Sequence, residues 1–213
     1  MPPPDNAAPL HIVVLCHPDN DSFNASVSKA YCAAVRELGH RALVRDLYAM
    51  GFEPVLKGAE RPGADFRQFR DVTDELDIIG DAAVFVLVYP IWFGTPPAML
   101  KGYVERVLGS GVGPNAVQAR SAKGVLAGKK MISFTSSASS EFWLDEQGQV
   151  NGLKSCFDHY IEHAFGMLPS RHIHFGHIVA GLDAHFVDQH LADVRAEART
   201  IAGEIDQAKT DRK

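Results

Sequence analysis

Two runs of the chain are apolar without alternating: residues 10–16 read LHIVVLC and residues 82–89 read AAVFVLVY. A strand with one wet face alternates apolar and polar side chains, because successive Cβ atoms point to opposite faces. A run that does not alternate has both faces covered, which is the mark of a parallel sheet between layers of helices. Each run is followed by turn and capping residues and then by apolar residues at helical spacing.

The alternation of strand and helix continues to the end. Residues 25–38 carry Val27, Ala30, Tyr31, Ala34, Val35 and Leu38 on one helical face, and Gly39 stops the helix. Residues 42–47 form a second, more polar strand near an edge, and residues 48–65 a long loop. Helices are expected over 66–80, over 97–108 with proline at the start, over 150–165 and over 183–207. Residues 130–135 and 171–179 supply the fourth and fifth strands. Strands alternating with helices, joined by right-handed crossovers, leave few topologies. The expectation is an α/β three-layer sandwich whose five-stranded parallel sheet has the order 2-1-3-4-5. With 213 residues and no internal linker, residues 10–207 read as one domain, residues 1–9 as a flexible arm and residues 208–213 as a tail.

Composition removes several function classes. The net charge is -5 with no basic stripe, so nucleic acid is not an expected partner. The longest apolar run, residues 82–89, is too short to cross a bilayer, and the amino terminus lacks the pattern of a signal peptide. Cys16, Cys32 and Cys156 form no C-x-x-C pair and read as reduced thiols in a cytoplasmic protein.

In sheets of this kind, ligands bind beyond the carboxyl ends of the strands, at the switch point beside the first strand. Loops from three strands meet there. The first offers His17, Ser22 and Asn24 around a helix amino terminus, where free N–H groups and the helix dipole favour a phosphate; Ser22 or Asn24 also serves as a helix cap. The second, residues 89–97, reads YPIWFGTPP. Its Trp92 and Phe93 either cover the core or form a rigid platform for a flat ring. The third, Thr135 followed by Ser136 and Ser137, has small side chains that let backbone N–H groups approach a ligand.

Three segments carry a resemblance: HPDNDSFNASVSKA at 17–30, RDLYAMGFEPVL at 45–56 and YPIWFGTPPAMLKGYVERVL at 89–108. Together they resemble the NAD(P)H:quinone oxidoreductase family of flavodoxin-like proteins. The resemblance covers residues 10–180 and implies a flavin cofactor, FAD with FMN as the alternative, and NAD(P)H as co-substrate. It places His17, Ser22, Phe23 and Asn24 on the flavin phosphates and ribityl chain. It places Pro90, Ile91, Trp92 and Phe93 under the isoalloxazine ring, and Thr135, Ser136 and Ser137 at the ring's N1 and O2 edge. Trp92, Phe93 and Thr135 are the residues expected to serve hydride transfer. Hydride then passes from NAD(P)H through flavin N5 to a quinone-like acceptor by a ping-pong scheme. The resemblance also implies a homodimer. Alternative readings within the same fold are a flavin-bound regulatory subunit of a membrane efflux system and a flavodoxin-type electron carrier.

The chain departs from the mammalian enzymes of that family in the third loop, where Ser136 and Ser137 replace two glycines. A tyrosine and a histidine that assist hydride transfer there have no counterpart in residues 136–158. No metal site is expected. His159, Glu162 and His163 match H-x-x-E-H, but lack a third ligand and read as solvent-side or interface residues. His172 and His174 share one sheet face and read as edge-facing, or as facing the flavin.

Overall fold

Burial decides which runs become strands. The computed structural model describes residues 8–119 and 124–211. Its five strands are β1 (Leu10–Leu15), β2 (Arg41–Asp46), β3 (Ala82–Pro90), β4 (Lys130–Ser136) and β5 (Arg171–Phe175). They form one all-parallel sheet in the order β2-β1-β3-β4-β5, as the sequence predicts. The non-alternating runs become β1 and β3, side by side in the middle and buried almost throughout. The more polar β2 takes an edge and remains half-exposed.

The two faces of β1 and β3 fill separate cores. Ile12, Val14, Phe85, Leu87 and Tyr89 pack under α2 (Arg70–Ile79), α3 (Ala98–Tyr103) and α7 (His159–Phe165). Val13, Leu15, Val84, Val86 and Val88 pack under α1 (Phe23–Glu37) and α8 (Ala184–Thr210). Three short helices complete the fold: α4 (Pro114–Gln118), α5 (Glu141–Glu146) and α6 (Gln149–Leu153).

Several boundaries move for physical reasons. The helix expected over 97–108 becomes α3 and a π-helical turn, Val104–Leu108. The one expected over 150–165 becomes α6, a second π-helical turn at Lys154–Asp158, and α7. Helical periodicity does not register an inserted residue of this kind. The fifth strand stops at Phe175, short of 179. Beyond Gly176, His177 adopts a positive φ of 58°, and the N–H groups of His177 and Ile178 donate to the carbonyls of Ser139 and Ser137. Helix α8 continues to Thr210, into the segment expected to be a tail. At the other end Ala8 and Pro9, expected within the arm, accept hydrogen bonds from the Arg41 side chain and N–H.

The long loop after β2 is pinned. The guanidinium of Arg106 is buried against both oxygens of Glu60 and reaches Asp71, and it also donates to the carbonyl of Glu53. Glycine at 102 is required where this loop crosses α3: a Cβ there would lie 2.2 Å from the Pro54 carbonyl oxygen. Among the described residues, no helix is long and apolar enough to cross a membrane.

Candidate functional site

The strand-end loops meet at the carboxyl edge of the sheet. Ser22 caps α1, its Oγ accepting the N–H of Ala25 at 3.2 Å. The next turn buries Asn24, whose Oδ1 accepts Ser136 Oγ–H at 2.9 Å, tying the first loop to the third. The Ile91 N–H donates to the Ser136 carbonyl at 2.7 Å, tying the second loop to the third. His17 and Trp92 bring their ring centroids to 5.9 Å, tying the first to the second. Phe23 turns its ring to the sheet, edge-on to Phe175 at 5.4 Å.

His17 is held by the backbone two residues on. Its Nδ1 lies 3.0 Å from the N–H of Asp19 and 3.2 Å from the carbonyl oxygen of the same residue.

The second loop is a tight turn. Trp92 and Thr95 exchange N–H···O=C bonds at 3.0 and 3.1 Å, and both central residues have positive φ, Phe93 at 51° and Gly94 at 79°. That pair of angles belongs to the primed hairpin turns, where glycine is at ease and phenylalanine is strained by about 1 kcal/mol. The strained residue presents its ring fully to solvent, and Trp92 is 39% exposed. Proline at 90 and the buried Pro97 flank this apolar shelf. The Trp92 N–H is taken by the Thr95 carbonyl, so this residue offers its ring.

The third loop differs from expectation. The Ser137 N–H donates to the Phe175 carbonyl at 3.0 Å, so this loop presents a side chain where backbone donors were expected. Thr135 is fully buried, and its Oγ1 lies 2.8 Å from His172 Nε2 and 2.9 Å from His174 Nδ1. His174 Nε2 lies 3.1 Å from Ser137 Oγ. In the other direction His172 Nδ1 makes a short contact with Asp158, which also accepts Ser133 Oγ–H at 2.8 Å. Burial, followed by the neighbouring His172 and Lys154, pushes the His174 imidazole down to about 4 from the ordinary 6.5. His174 is therefore neutral at pH 7. The Tyr89 hydroxyl is buried beside this group, near Ser133 and Asp158, and among the described residues no partner meets hydrogen-bond geometry with it.

The profile of a family described as having a flavodoxin-like fold matches residues 11–200. A protein of Haemophilus influenzae called an uncharacterized NAD(P)H oxidoreductase is 30% identical over 203 residues, 93% of this chain and 95% of that one. The chain belongs to this flavodoxin-like family of NAD(P)H oxidoreductases. Among solved structures, an NAD(P)H:quinone oxidoreductase of Methanothermobacter marburgensis has the same fold, with TM-score 0.76 and 24% identity over 92% of this chain and 96% of that one. An FMN-dependent NADH-azoreductase of Bacillus anthracis, solved with FMN, superposes with TM-score 0.63 and 18% identity over 91% and 99% of the two chains.

Within the flavodoxin-like fold, the residues expected to hold a flavin all lie at this edge: His17, Ser22, Phe23 and Asn24 from the first loop, Pro90 to Phe93 from the second, and Thr135 to Ser137 from the third. The sequence did not connect Asp158 to them. It reaches the site from a π-helical turn, and only the pairing of Thr135 with His174 across β4 and β5 shows the link. The alternation of His172 and His174 was the available signal. Of the H-x-x-E-H residues, Glu162 accepts from the N–H and Oγ of Ser170, and His163 Nδ1 contacts the His159 carbonyl at 2.8 Å.

Proposed function

We propose that the chain is a flavin-dependent oxidoreductase that passes hydride from NAD(P)H to a quinone-like acceptor. The observation that carries this reading is the meeting of a capped helix amino terminus, an exposed aromatic shelf and a row of hydroxyl groups at one sheet edge. A flavin is long enough to need all three: a phosphate end, a flat ring and a polar ring edge. The donor set fits it. The first turn of α1 offers N–H donors to phosphate, and the His17 ring stands at the exit of β1. Trp92 and Phe93 offer an apolar face, and Ser137 a hydroxyl at the pyrimidine edge.

A bound flavin, FAD or FMN, supplies the chemistry by accepting hydride at N5 and giving it up again. The chain's own work is orientation and charge. The strained turn at Phe93 holds the shelf rigid. Asn24, held by Ser136, keeps the α1 amino terminus in register with the β4 loop. Donor and acceptor substrates then use one exposed shelf in turn. Initial rates with NAD(P)H and a soluble quinone are expected to give parallel double-reciprocal lines. Lines that intersect at all substrate levels contradict the shared shelf.

A dimer completes this reading. A cavity of 470 Å³ between α3 and α7, lined in part by Val104, Phe157, Tyr160 and Ile161, shares Lys101, Cys156 and Phe157 with a 540 Å³ cavity that reaches Gly94 and Thr95. A second copy on this groove would wall the open side of the shelf. Sedimentation is expected to give the mass of two chains, and a monomer at micromolar concentration contradicts it.

A further inference from the structure

The Asp158–His172–Thr135–His174–Ser137 chain has a direction, and the carboxylate sets it. An ionised Asp158 can only accept, so His172 donates from Nδ1 and its Nε2 is an acceptor. Thr135 has one hydroxyl proton, and Nε2 of His172 at 2.8 Å takes it. Thr135 Oγ1 then accepts from Nδ1–H of His174 at 2.9 Å, which leaves His174 Nε2 to accept Ser137 Oγ–H at 3.1 Å. Every donor points inward to the carboxylate, and the outermost group shows the ligand edge only lone pairs.

The same five groups have a second order that differs by one proton. A proton from water arriving at Ser137 Oγ releases that hydroxyl's own proton to His174 Nε2. His174 passes Nδ1–H to Thr135, and Thr135 passes its proton to His172 Nε2. No electrons move and no heavy-atom bond breaks. The result is an imidazolium at His172, ion-paired to Asp158, with every outer donor reversed and the Ser137 hydroxyl pointing out, where the Ser139 carbonyl at 3.1 Å is its present alternative acceptor.

We propose that this chain is a proton wire, switched from inward to outward order when negative charge develops on the ligand at the carboxyl edge. Asp158, His172, Thr135 and His174 are positioning residues that act through Ser137. Naming the ligand as a flavin rests on the function proposed above, but the resting order belongs to the chain alone. Burial is the main force against a proton on His174; the facing titratable groups are His172 and Lys154, which oppose it, and Asp145, which favours it. His174 therefore holds no second proton at neutral pH, as the inward order requires.

Two measurements decide. In cofactor-free protein at neutral pH, nitrogen-15 spectra are expected to show His172 and His174 both as Nδ1–H tautomers. An Nε2–H tautomer at either position overturns the wire, whether or not the protein binds flavin. In flavin-loaded protein, the pH dependence of the midpoint potential counts protons taken up on two-electron reduction. The native protein and Thr135→Ser are expected to take up one proton more than Thr135→Val, which keeps the side chain's shape without its hydroxyl. Equal counts in Thr135→Val and Thr135→Ser overturn the wire, since a merely structural role for Thr135 leaves the count unchanged.

Discussion

The two ends of the sheet each bury a chain of histidines that ends on an aspartate. At the amino end, on β1, His11 contacts Tyr31 and His40 at 2.9 Å each, and His40 Nε2 reaches Asp206 at 3.1 Å. At the carboxyl end, His174, Thr135 and His172 lead to Asp158. The difference lies in where the charge sits. Asp206 is on the surface, its side chain 58% exposed, and its histidine chain runs from water into a closed core. Asp158 is the buried end, 2% exposed, and its chain runs outward to a serine at the ligand edge. A buried network that ends on a surface acid can only hold helices and strands together, here α1, α8, β1 and the start of β2. One anchored inside, whose outer serine has a choice of acceptors in His174 and the Ser139 carbonyl, can respond to what arrives there.

The comparison breaks first on the two carboxylates. Asp158→Ala leaves Ser133 and His172 with no acceptor in a buried site and is expected to cost about 3 kcal/mol in urea unfolding. Asp206→Ala is expected to cost about 0.5 kcal/mol, since water replaces the lost partner. Similar costs at the two positions would end the claim that the ends differ.

Acid sharpens it next. Burial, then His40, pushes His11 down to about 4 from 6.5. The unfolded chain therefore binds the proton first. Stability from this group is full above 6.5 and is lost as pH falls towards 4, by at most about 3 kcal/mol. His174 titrates in the same window with the same sign. His11→Gln is expected to halve the fall in stability across that window in the cofactor-free protein. With the ligand at the carboxyl end, as proposed, the remaining half is the part that ligand is expected to change. A full-sized fall in His11→Gln protein assigns the acid response elsewhere.

The sheet was legible in the sequence because burial writes itself into unbroken apolar runs, and β1 and β3 have no polar residue at which to hesitate except His11. The second loop was legible only in part: Trp92 and Phe93 side by side left open whether they cover the core, and the structure leaves both exposed. What stayed hidden depends on register. His174 meets Thr135 only because β4 and β5 pair in parallel with those residues opposite. Asp158 meets His172 only because a π-helical turn shifts the helix face by a residue. Neither fact has a local signature, and the same holds for the positive φ of Phe93, which nothing in a phenylalanine side chain foretells.

The most direct test is a titration of cofactor-free protein with FMN and with FAD, read by flavin fluorescence, beside the Trp92→Ala variant. At least one flavin is expected to bind with saturation at one per chain, and Trp92→Ala is expected to weaken it about tenfold, or about 1.4 kcal/mol, with its unfolding midpoint unchanged. Native protein that binds neither flavin, or a variant that binds as tightly as the native one, contradicts the placing of a flavin ring on the Trp92–Phe93 shelf.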